Sequence, residues 1–303
     1  MQIAMIQALC ELAEKNSRLM YVLGDSGCEY DRFYREAFPR QMVDLGIAEQ
    51  HAVSFAAGMA ADGWMPFVEL PAPFLAYRAF EAVRVDVCLQ RRNVKLIGLG
   101  SGLSNSALGA THHGTEDIAV MRSLPGLTIL SVATAEQARQ AIAEAYAIDG
   151  PVYLRFEMKS SGELSAPIVE HSGLQTLCEG RDGVMFATGG VVFEALEAAR
   201  QLALQGLSIG VINVRRLAPF DEAGCRALCG NTRHVFTLEE HSVRGGLGSI
   251  LCEVLSGLTA SVTRIGLEGF AQGYGTSAEL RRQNGLDAVS VARRINEEMR
   301  RIE

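Results

Sequence analysis

Asp44-Leu-Gly-Ile-Ala-Glu-Gln-His51 is the most informative stretch of the chain for its architecture. The short run 41–45 is typical of the end of a strand, and Gly46 breaks its pattern. Small residues from about Ala48 to Ala61 then predict a helix, with Glu49 in its first turn. The helix dipole favours a carboxylate at that position whether or not it has a function. The stretch therefore predicts a strand-to-helix turn at a sheet edge, and the rest of the chain must decide what Glu49 does.

Length and composition narrow the class of protein. The 303 residues suffice for two domains, and 48% hydrophobic residues are ordinary for a packed globular chain. No apolar run approaches the roughly 20 residues that span a bilayer, so we expect no membrane segment. The net charge of −7 argues against broad nucleic-acid binding. The 7 cysteines form no CxxC pairs, which favours reduced thiols in a cytoplasmic protein.

Strand-like and helix-like segments alternate along the whole chain. This alternation predicts an α/β protein with a doubly wound, largely parallel sheet in each half. Serine, glycine and proline mix with charges around Met158 to Gly183, which indicates a linker between the halves. We therefore predict a first domain at 1–160, a linker at 161–180, and a smaller second domain of about five strands at 181–303.

Several polar and aromatic residues follow predicted strands of the first half. In a doubly wound fold the ligand crevice lies outside the carboxyl ends of the strands, so these residues can share one face with Glu49. The candidates are the aromatic stripe Phe74, Tyr77 and Phe80, the pair His112 and His113 in a Gly/Ser loop, and Arg155.

Each candidate also has a structural explanation. A stripe spaced i, i+3, i+6 is more often core than a platform for a planar ring, although Phe74 follows Pro73 at the rim of the crevice. A loop histidine is an acid/base or hydroxyl-binding candidate or a surface residue. Arg155 suits a phosphate or sulfonate, or forms an ordinary salt bridge. Adjacent histidines cannot easily chelate one ion, so we predict no metal site in this chain.

These residues, in this order, resemble the transketolase group of thiamine-diphosphate enzymes over nearly the whole chain. The similar segments are Gly46-Ile-Ala-Glu-Gln-His51, Pro73-Phe-Leu-Ala-Tyr-Arg-Ala-Phe80, Thr111-His112 followed by Glu116-Asp117 and Arg122-Ser-Leu-Pro125, and Glu239-Glu-His-Ser-Val-Arg-Gly-Gly-Leu-Gly248. The resemblance implies a pyrimidine-binding domain followed by a transketolase C-terminal domain.

The resemblance assigns roles to the candidates. Glu49 would be the cofactor-activating glutamate beside the pyrimidine of thiamine diphosphate, and the aromatic stripe of Phe74, Tyr77 and Phe80 would form the wall around that ring. His112 would bind or protonate substrate oxygens. Arg155 would take the substrate phosphate, with Arg32 as a weaker candidate for the same anionic end.

A whole transketolase also has a diphosphate-binding domain with a Gly-Asp-Gly motif and a later Asn, which hold a divalent metal. Gly24-Asp-Ser-Gly27 is the nearest phrase, but it lies in the wrong domain. The resemblance therefore implies a carboxy-terminal subunit that is inactive alone. A separate amino-terminal subunit would hold the Mg²⁺ or similar divalent ion and supply the diphosphate and thiazolium contacts, in an α2β2 assembly.

The loop before His112 departs from the family pattern. Ser104-Asn-Ser-Ala-Leu-Gly109 contains no acid, and Gly100 stands where the family often has a histidine. Both departures leave the donor sugar open. The expected reaction is ketol transfer from a ketose phosphate, or a similar anionic ketose, to an aldose in carbohydrate metabolism. The alternatives are a deoxyxylulose-phosphate-synthase-like enzyme and the β subunit of a 2-oxoacid dehydrogenase.

Overall fold

A computed structural model of the chain describes residues 1–25, 30–160, 162–164, 173–230 and 232–302. In the first half, strands and helices alternate as predicted. The strands are β1 (Leu19–Leu23), β2 (Met42–Asp44), β3 (Met65–Pro71), β4 (Lys95–Leu99), β5 (Thr128–Ser131) and β6 (Val152–Phe156). The helices are α1 (Gln2–Lys15), α2 (Asp31–Ala37), α3 (Glu49–Ala61), α4 (Phe80–Ala82), α5 (Asp117–Met121) and α6 (Ala135–Ala147). Two π-helical segments, Phe74–Arg78 and Val83–Cys88, flank α4.

The second half repeats the alternation. Its strands are β7 (Leu174–Cys178), β8 (Gly183–Thr188), β9 (Ile209–Val214), β10 (Arg216–Ala218), β11 (His234–Ser242) and β12 (Ser261–Leu267). Its helices are α7 (Val192–Ala203), α8 (Glu222–Cys229), α9 (Leu247–Val254), α10 (Ser277–Gln283) and α11 (Ala288–Ile302). None of the helices in the described ranges is long and apolar enough to cross a membrane.

The first sheet has the strand order β10-β5-β6-β4-β3-β1-β2, and its strands β1 to β6 run parallel. Helices α1 and α6 pack against one face, while α3 packs against the other. Strands β1, β4 and β6 are buried along their whole length because both faces are covered. The predicted doubly wound parallel sheet is thus confirmed.

The second sheet contains five strands in the order β12-β11-β8-β9-β7. Its outer strand β7 begins at Leu174, inside the stretch 161–180 that the sequence assigned to a linker. Strand β7 pairs antiparallel with β9, and Leu174 and Gln175 are buried, so this segment of the predicted linker forms a strand of the second sheet. Residue 161 and residues 165–172 of that prediction lie outside the described ranges. The division at 160 and 181 remains a prediction.

One strand of the second half belongs to the first sheet. Strand β10 pairs antiparallel with β5 and covers the edge that β5 would otherwise expose. One hydrophobic cluster also contains residues of both halves, among them Ile129 of β5, Phe186 of β8 and Leu247 of α9. The two halves therefore pack against each other through a common core, which determines what surrounds the loops at the sheet edge.

Candidate functional site

The carboxyl ends of the parallel strands of the first sheet converge on one cavity of about 360 Å³. The segments that leave β1, β2, β3, β4 and β6 all contribute to its wall. The lining residues are Asp25, Ile47, Glu49, Pro71, Phe74, Asn105, Leu108, His112 and Met158. The structure thus brings together three residues that the sequence selected: Glu49, Phe74 and His112.

Glu49 is the first residue of α3, and a tight turn delivers it to the cavity. Gly46 has a φ of +66°, in the left-handed region that favours glycine, and its N–H donates to Asp44 Oδ1 at 2.9 Å. Only 3% of Glu49 is exposed, which would be costly for a carboxylate without a partner. Arg78 Nη1 supplies that partner by donating to Glu49 Oε1 at 2.7 Å.

The second oxygen of this carboxylate has a different environment. Among the described residues, no hydrogen bond reaches Glu49 Oε2. Glu49 also lines a neighbouring surface depression with Gln50, His51 and Arg78. One oxygen is therefore neutralised by Arg78, while the other can accept a hydrogen bond from a molecule in the cavity.

Phe74 opens the π-helical segment Phe74–Arg78 directly after β3. Its half-buried ring meets the ring of His112 edge-on, with centroids 5.2 Å apart. The guanidinium carbon of Arg78 lies 4.5 Å from the centroid of the Phe74 ring, in cation–π contact. Phe74 therefore offers an aromatic surface beside the Glu49 carboxylate, and Arg78 contacts both.

His112 lies on the loop 100–114, which follows β4. Backbone hydrogen bonds between Gly102 and Gly114 close the base of this loop: Gly102 N–H donates to the Gly114 carbonyl at 2.9 Å, and Gly114 N–H to the Gly102 carbonyl at 3.1 Å. His112 Nδ1 is 2.9 Å from the Thr111 hydroxyl. Its neighbour His113 is buried, and this burial lowers the pKa of the His113 imidazole. Only His112 of the pair lines the cavity.

Arg155 requires a correction. Its side chain is 1% exposed, and its Nε donates to Asp117 Oδ2 at 2.9 Å and Oδ1 at 3.1 Å. Its Nη2 donates to the carbonyls of Gly114 and Glu240. Burial is the largest single influence and lowers the pKa of the Arg155 guanidinium, but Asp117, Tyr153 and Glu157 together outweigh it, so the pKa is raised. The side chain does not line the cavity. Its hydrogen bonds join the loop 100–114 to the second half, so the structure does not support the predicted phosphate-binding role.

The structure also separates the aromatic stripe. Tyr77 is 40% exposed, and its hydroxyl donates to Glu116 Oε2 at 2.9 Å and accepts from Glu116 N–H. Phe80 lines another cavity, of about 930 Å³, together with Thr128 and Pro151 at the amino ends of β5 and β6. Because the chain between Phe74 and Phe80 is π-helical, the stripe does not follow the 3.6-residue period that the sequence argument assumed. Phe80 lies away from Glu49, and its assignment to cofactor binding is corrected.

Two further residues named in the sequence analysis, Arg32 and Asp25, follow strand β1. Arg32 on α2 is exposed, and its guanidinium lies 4.9 Å from the Phe33 ring centroid. It does not line the cavity, and its substrate role stays a prediction. In the phrase Gly24-Asp-Ser-Gly27, Asp25 lines the cavity with a φ of +51°, whereas Ser26 and Gly27 lie outside the described residues.

Comparison with known proteins agrees with this geometry. Residues 1–162 match the family model "Transketolase, pyrimidine binding domain", and residues 173–291 match "Transketolase, C-terminal domain". The chain belongs to the transketolase family. The family predicted from the Glu49 and Thr111-His112 segments is thereby confirmed.

The similarity to split transketolases covers nearly the full length of both chains. The chain is 34% identical to a subunit of the apulose-4-phosphate transketolase of Actinobacillus succinogenes, covering 95% of this chain and 94% of that one. A solved split-gene transketolase, described as an inactive β4 tetramer, is 33% identical with a TM-score of 0.87, covering 98% of this chain and 96% of that chain. The 1-deoxy-D-xylulose-5-phosphate synthase of Chlorobium luteolum is 35% identical, but the chain spans only 47% of it. The split-transketolase prediction is therefore better supported than the synthase alternative.

Two residues of this site, Arg78 and Asn105, were not selected from the sequence. Arg78 lies within the segment 73–80 that resembles the family, but it is 29 residues from Glu49, so no local pattern predicts their ion pair. Asn105 lies in the acid-free segment 104–109 and reaches the cavity. Gly100 has a φ of +79°, and the Asn105 amide packs where a side chain at position 100 would begin. The two departures from the family pattern are thus connected, since Asn105 fills space that only glycine at position 100 leaves open.

Proposed function

We propose that this chain is the pyrimidine-binding subunit of a two-chain transketolase that transfers a two-carbon ketol unit from an anionic ketose to an aldose. The observation that carries the proposal is the buried carboxylate of Glu49, which has one open oxygen and lies beside the Phe74 ring in the same cavity. A buried carboxylate with an adjacent aromatic face is suited to bind a flat heterocycle with a basic ring nitrogen.

This arrangement fits the aminopyrimidine of thiamine diphosphate. When bound, the cofactor supplies a stabilised carbanion equivalent that carries the transferred unit. Glu49 Oε2 would form the hydrogen bond to a pyrimidine nitrogen, while Phe74 would stack on the ring. Arg78 would continue to neutralise Glu49 through Oε1, so that the carboxylate can share a proton without being left as an unpaired buried charge. Tyr77, which does not line the cavity, remains a weaker cofactor-binding candidate.

His112 and Asn105 would contact the sugar. His112 lines the cavity on the side of Phe74, and its ring can donate or accept a proton within hydrogen-bond reach of a substrate oxygen. Asn105 offers both an amide donor and an acceptor where the family often has an acid. With Arg155 buried, the exposed Arg32 is the remaining predicted candidate for the anionic end of the ketose. The relative from Actinobacillus succinogenes is named for apulose-4-phosphate, which supports an anionic donor.

The other half of the site would come from an amino-terminal subunit. In the described part of the chain, no group of three or more His, Cys, Asp or Glu residues could hold a metal ion. We propose that the partner chain supplies the oxygen ligands of the divalent ion on the diphosphate. Ile47 at the rim of the cavity is 75% exposed, so it is accessible to a partner chain. We propose an α2β2 assembly in the cytoplasm, in line with the solved relative whose β4 form is described as inactive.

The proposal is tested by substituting Glu49→Gln in the complex reconstituted with the amino-terminal subunit. This change keeps the shape of the side chain but prevents it from holding a negative charge, so kcat should fall at least 100-fold, on the order of the contribution of a general acid–base group. The matched control is Glu81→Gln, which changes an exposed carboxylate in the same domain and should leave kcat unchanged. Near-normal turnover by the Glu49→Gln complex would refute the cofactor role.

The divided site has its own test. Calorimetry with thiamine diphosphate and Mg²⁺ should detect much weaker binding to the isolated chain than to the reconstituted complex. Equal affinities in the two titrations would mean that the chain holds the diphosphate end itself.

A further inference from the structure

The second domain contacts the His112 loop at its base. Glu240 of β11 is 2% exposed, and its Oε2 accepts a hydrogen bond from the backbone N–H of Leu103 at 2.9 Å. Gly102 permits this approach, because a Cβ at position 102 would lie 2.5 Å from Glu240 Oε2. A buried carboxylate 137 residues away in the sequence thus accepts the hydrogen bond that a backbone carbonyl would otherwise accept from the loop.

The Glu240 carboxylate is itself held in place. Its Oε1 accepts from Arg281 Nε of α10. Arg281 is 5% exposed and also lies 3.7 Å from carboxylate oxygens of both Glu157 and Glu194. With one oxygen fixed by Arg281, the other oxygen points at Leu103 N–H. The network is charge-assisted and buried, so it restricts the orientation of Glu240 more than an exposed pair would.

Further contacts reach along the loop. The Ser277 hydroxyl donates to the Leu103 carbonyl at 3.4 Å, so Leu103 is bonded to the second domain through both backbone groups. At the far side of the loop, a Cβ at Gly109 would lie 2.8 Å from the ring of Tyr274, so this ring packs against the backbone three residues before His112. Tyr274 is otherwise 75% exposed.

We propose that Glu240 is a positioning residue, and that the second domain acts in turnover by holding the 100–114 loop so that His112 and Asn105 face the substrate. The part of this proposal that concerns turnover rests on the proposed function. Glu49 and Phe74 follow other strands, and only the Phe74 ring contacts the loop, through its edge-on contact with His112. Loosening the loop should therefore impair sugar turnover much more than cofactor binding. A displacement of about 1 Å at a catalytic group can cost on the order of 100-fold in rate.

The experiment uses the reconstituted complex and the substitution Glu240→Gln. The amide keeps an acceptor oxygen but cannot accept from both Leu103 N–H and Arg281, so one donor loses its partner. We expect faster hydrogen–deuterium exchange in the 100–114 peptide, a kcat/KM for the donor sugar at least 10-fold lower, and a Kd for thiamine diphosphate within 2-fold of the parent, as estimates on the scale of a lost positioning contact.

Tyr274→Ala is the second variant, because it removes an exposed ring and leaves no buried charge without a partner. It should accelerate exchange around Gly109 and lower kcat/KM several-fold. Phe270→Ala is the matched control, since Phe270 is 72% exposed and lies four residues earlier on the same segment. This control should change neither quantity.

Two results would overturn the proposal. Unchanged exchange of the 100–114 peptide in both Glu240→Gln and Tyr274→Ala would show that the second domain does not hold the loop. Faster exchange with unchanged kcat/KM would show that the contact is structural only. The exchange measurement needs no turnover, so it still tests the loop contact if the Glu49 experiment refutes the proposed function.

Discussion

The buried pair of Arg155 and Asp117 leads to a quantitative prediction for Arg155→Met. The two side chains are 1% and 0% exposed, and the guanidinium also donates to the carbonyls of Gly114 and Glu240. Methionine fills much of the volume but leaves Asp117 as an uncompensated buried charge, which costs about 3–5 kcal/mol of unfolding free energy. At roughly 2–4 °C per kcal/mol for a domain of this size, Tm should fall by roughly 6–20 °C.

The assay is thermal and urea unfolding followed by circular dichroism, with a double variant as the internal test. Arg155→Met combined with Asp117→Asn removes both charges and keeps an acceptor for the Tyr153 hydroxyl, which donates to Asp117 at 2.8 Å. Much of the lost stability should therefore return. Arg200→Met is the control, because its pair with Glu197 is exposed on both sides, and it should cost less than about 1 kcal/mol.

A phosphate-binding Arg155 would give the opposite pattern. Stability would then change little, while KM for a phosphorylated donor would rise in the reconstituted complex and remain high in the double variant. That combination would refute the structural assignment of Arg155.

The remaining predictions concern pH and the aromatic residues. Burial and the charge of Glu240 raise the pKa of Glu157 from 4.5 to about 7. The folded state therefore binds this proton more tightly than the unfolded state does. The resulting stabilisation is fully present below pH 4.5 and is lost as the pH rises through 7. Glu157→Gln should abolish this loss of unfolding free energy, which is on the order of 3 kcal/mol for a shift of this size. Urea unfolding of both proteins at pH 5 and pH 8 measures the loss. Equal pH dependence in the parent and the variant would contradict the prediction. Phe74→Leu should weaken thiamine diphosphate binding to the complex about 2- to 10-fold, which corresponds to the free energy of one aromatic contact. Phe80→Leu should leave the affinity unchanged. If calorimetry gave the reverse order, Phe80 would be restored to the site.

The sheet architecture and the core of the candidate site could be predicted from the sequence alone. Alternating apolar segments are local signals, and the rule for parallel sheets then places the residues after each strand on one edge. This is why Glu49, Phe74 and His112 could be predicted together and are found lining one cavity. The turn at Gly46, which delivers Glu49, is likewise encoded in the local sequence.

Long-range packing determines which charged groups face the cavity and which are used internally. Asp117 lies 38 residues from Arg155, and Leu103 lies 137 residues from Glu240, so no local pattern encodes either contact. The pairing of strand β10 with the first sheet cannot be predicted from a local pattern either, because its partner β5 is distant in sequence. A buried guanidinium and one that binds substrate look alike in a sequence. They differ in the burial and hydrogen bonding that the tertiary structure imposes, which is why Arg155 was misassigned and Arg78 was overlooked.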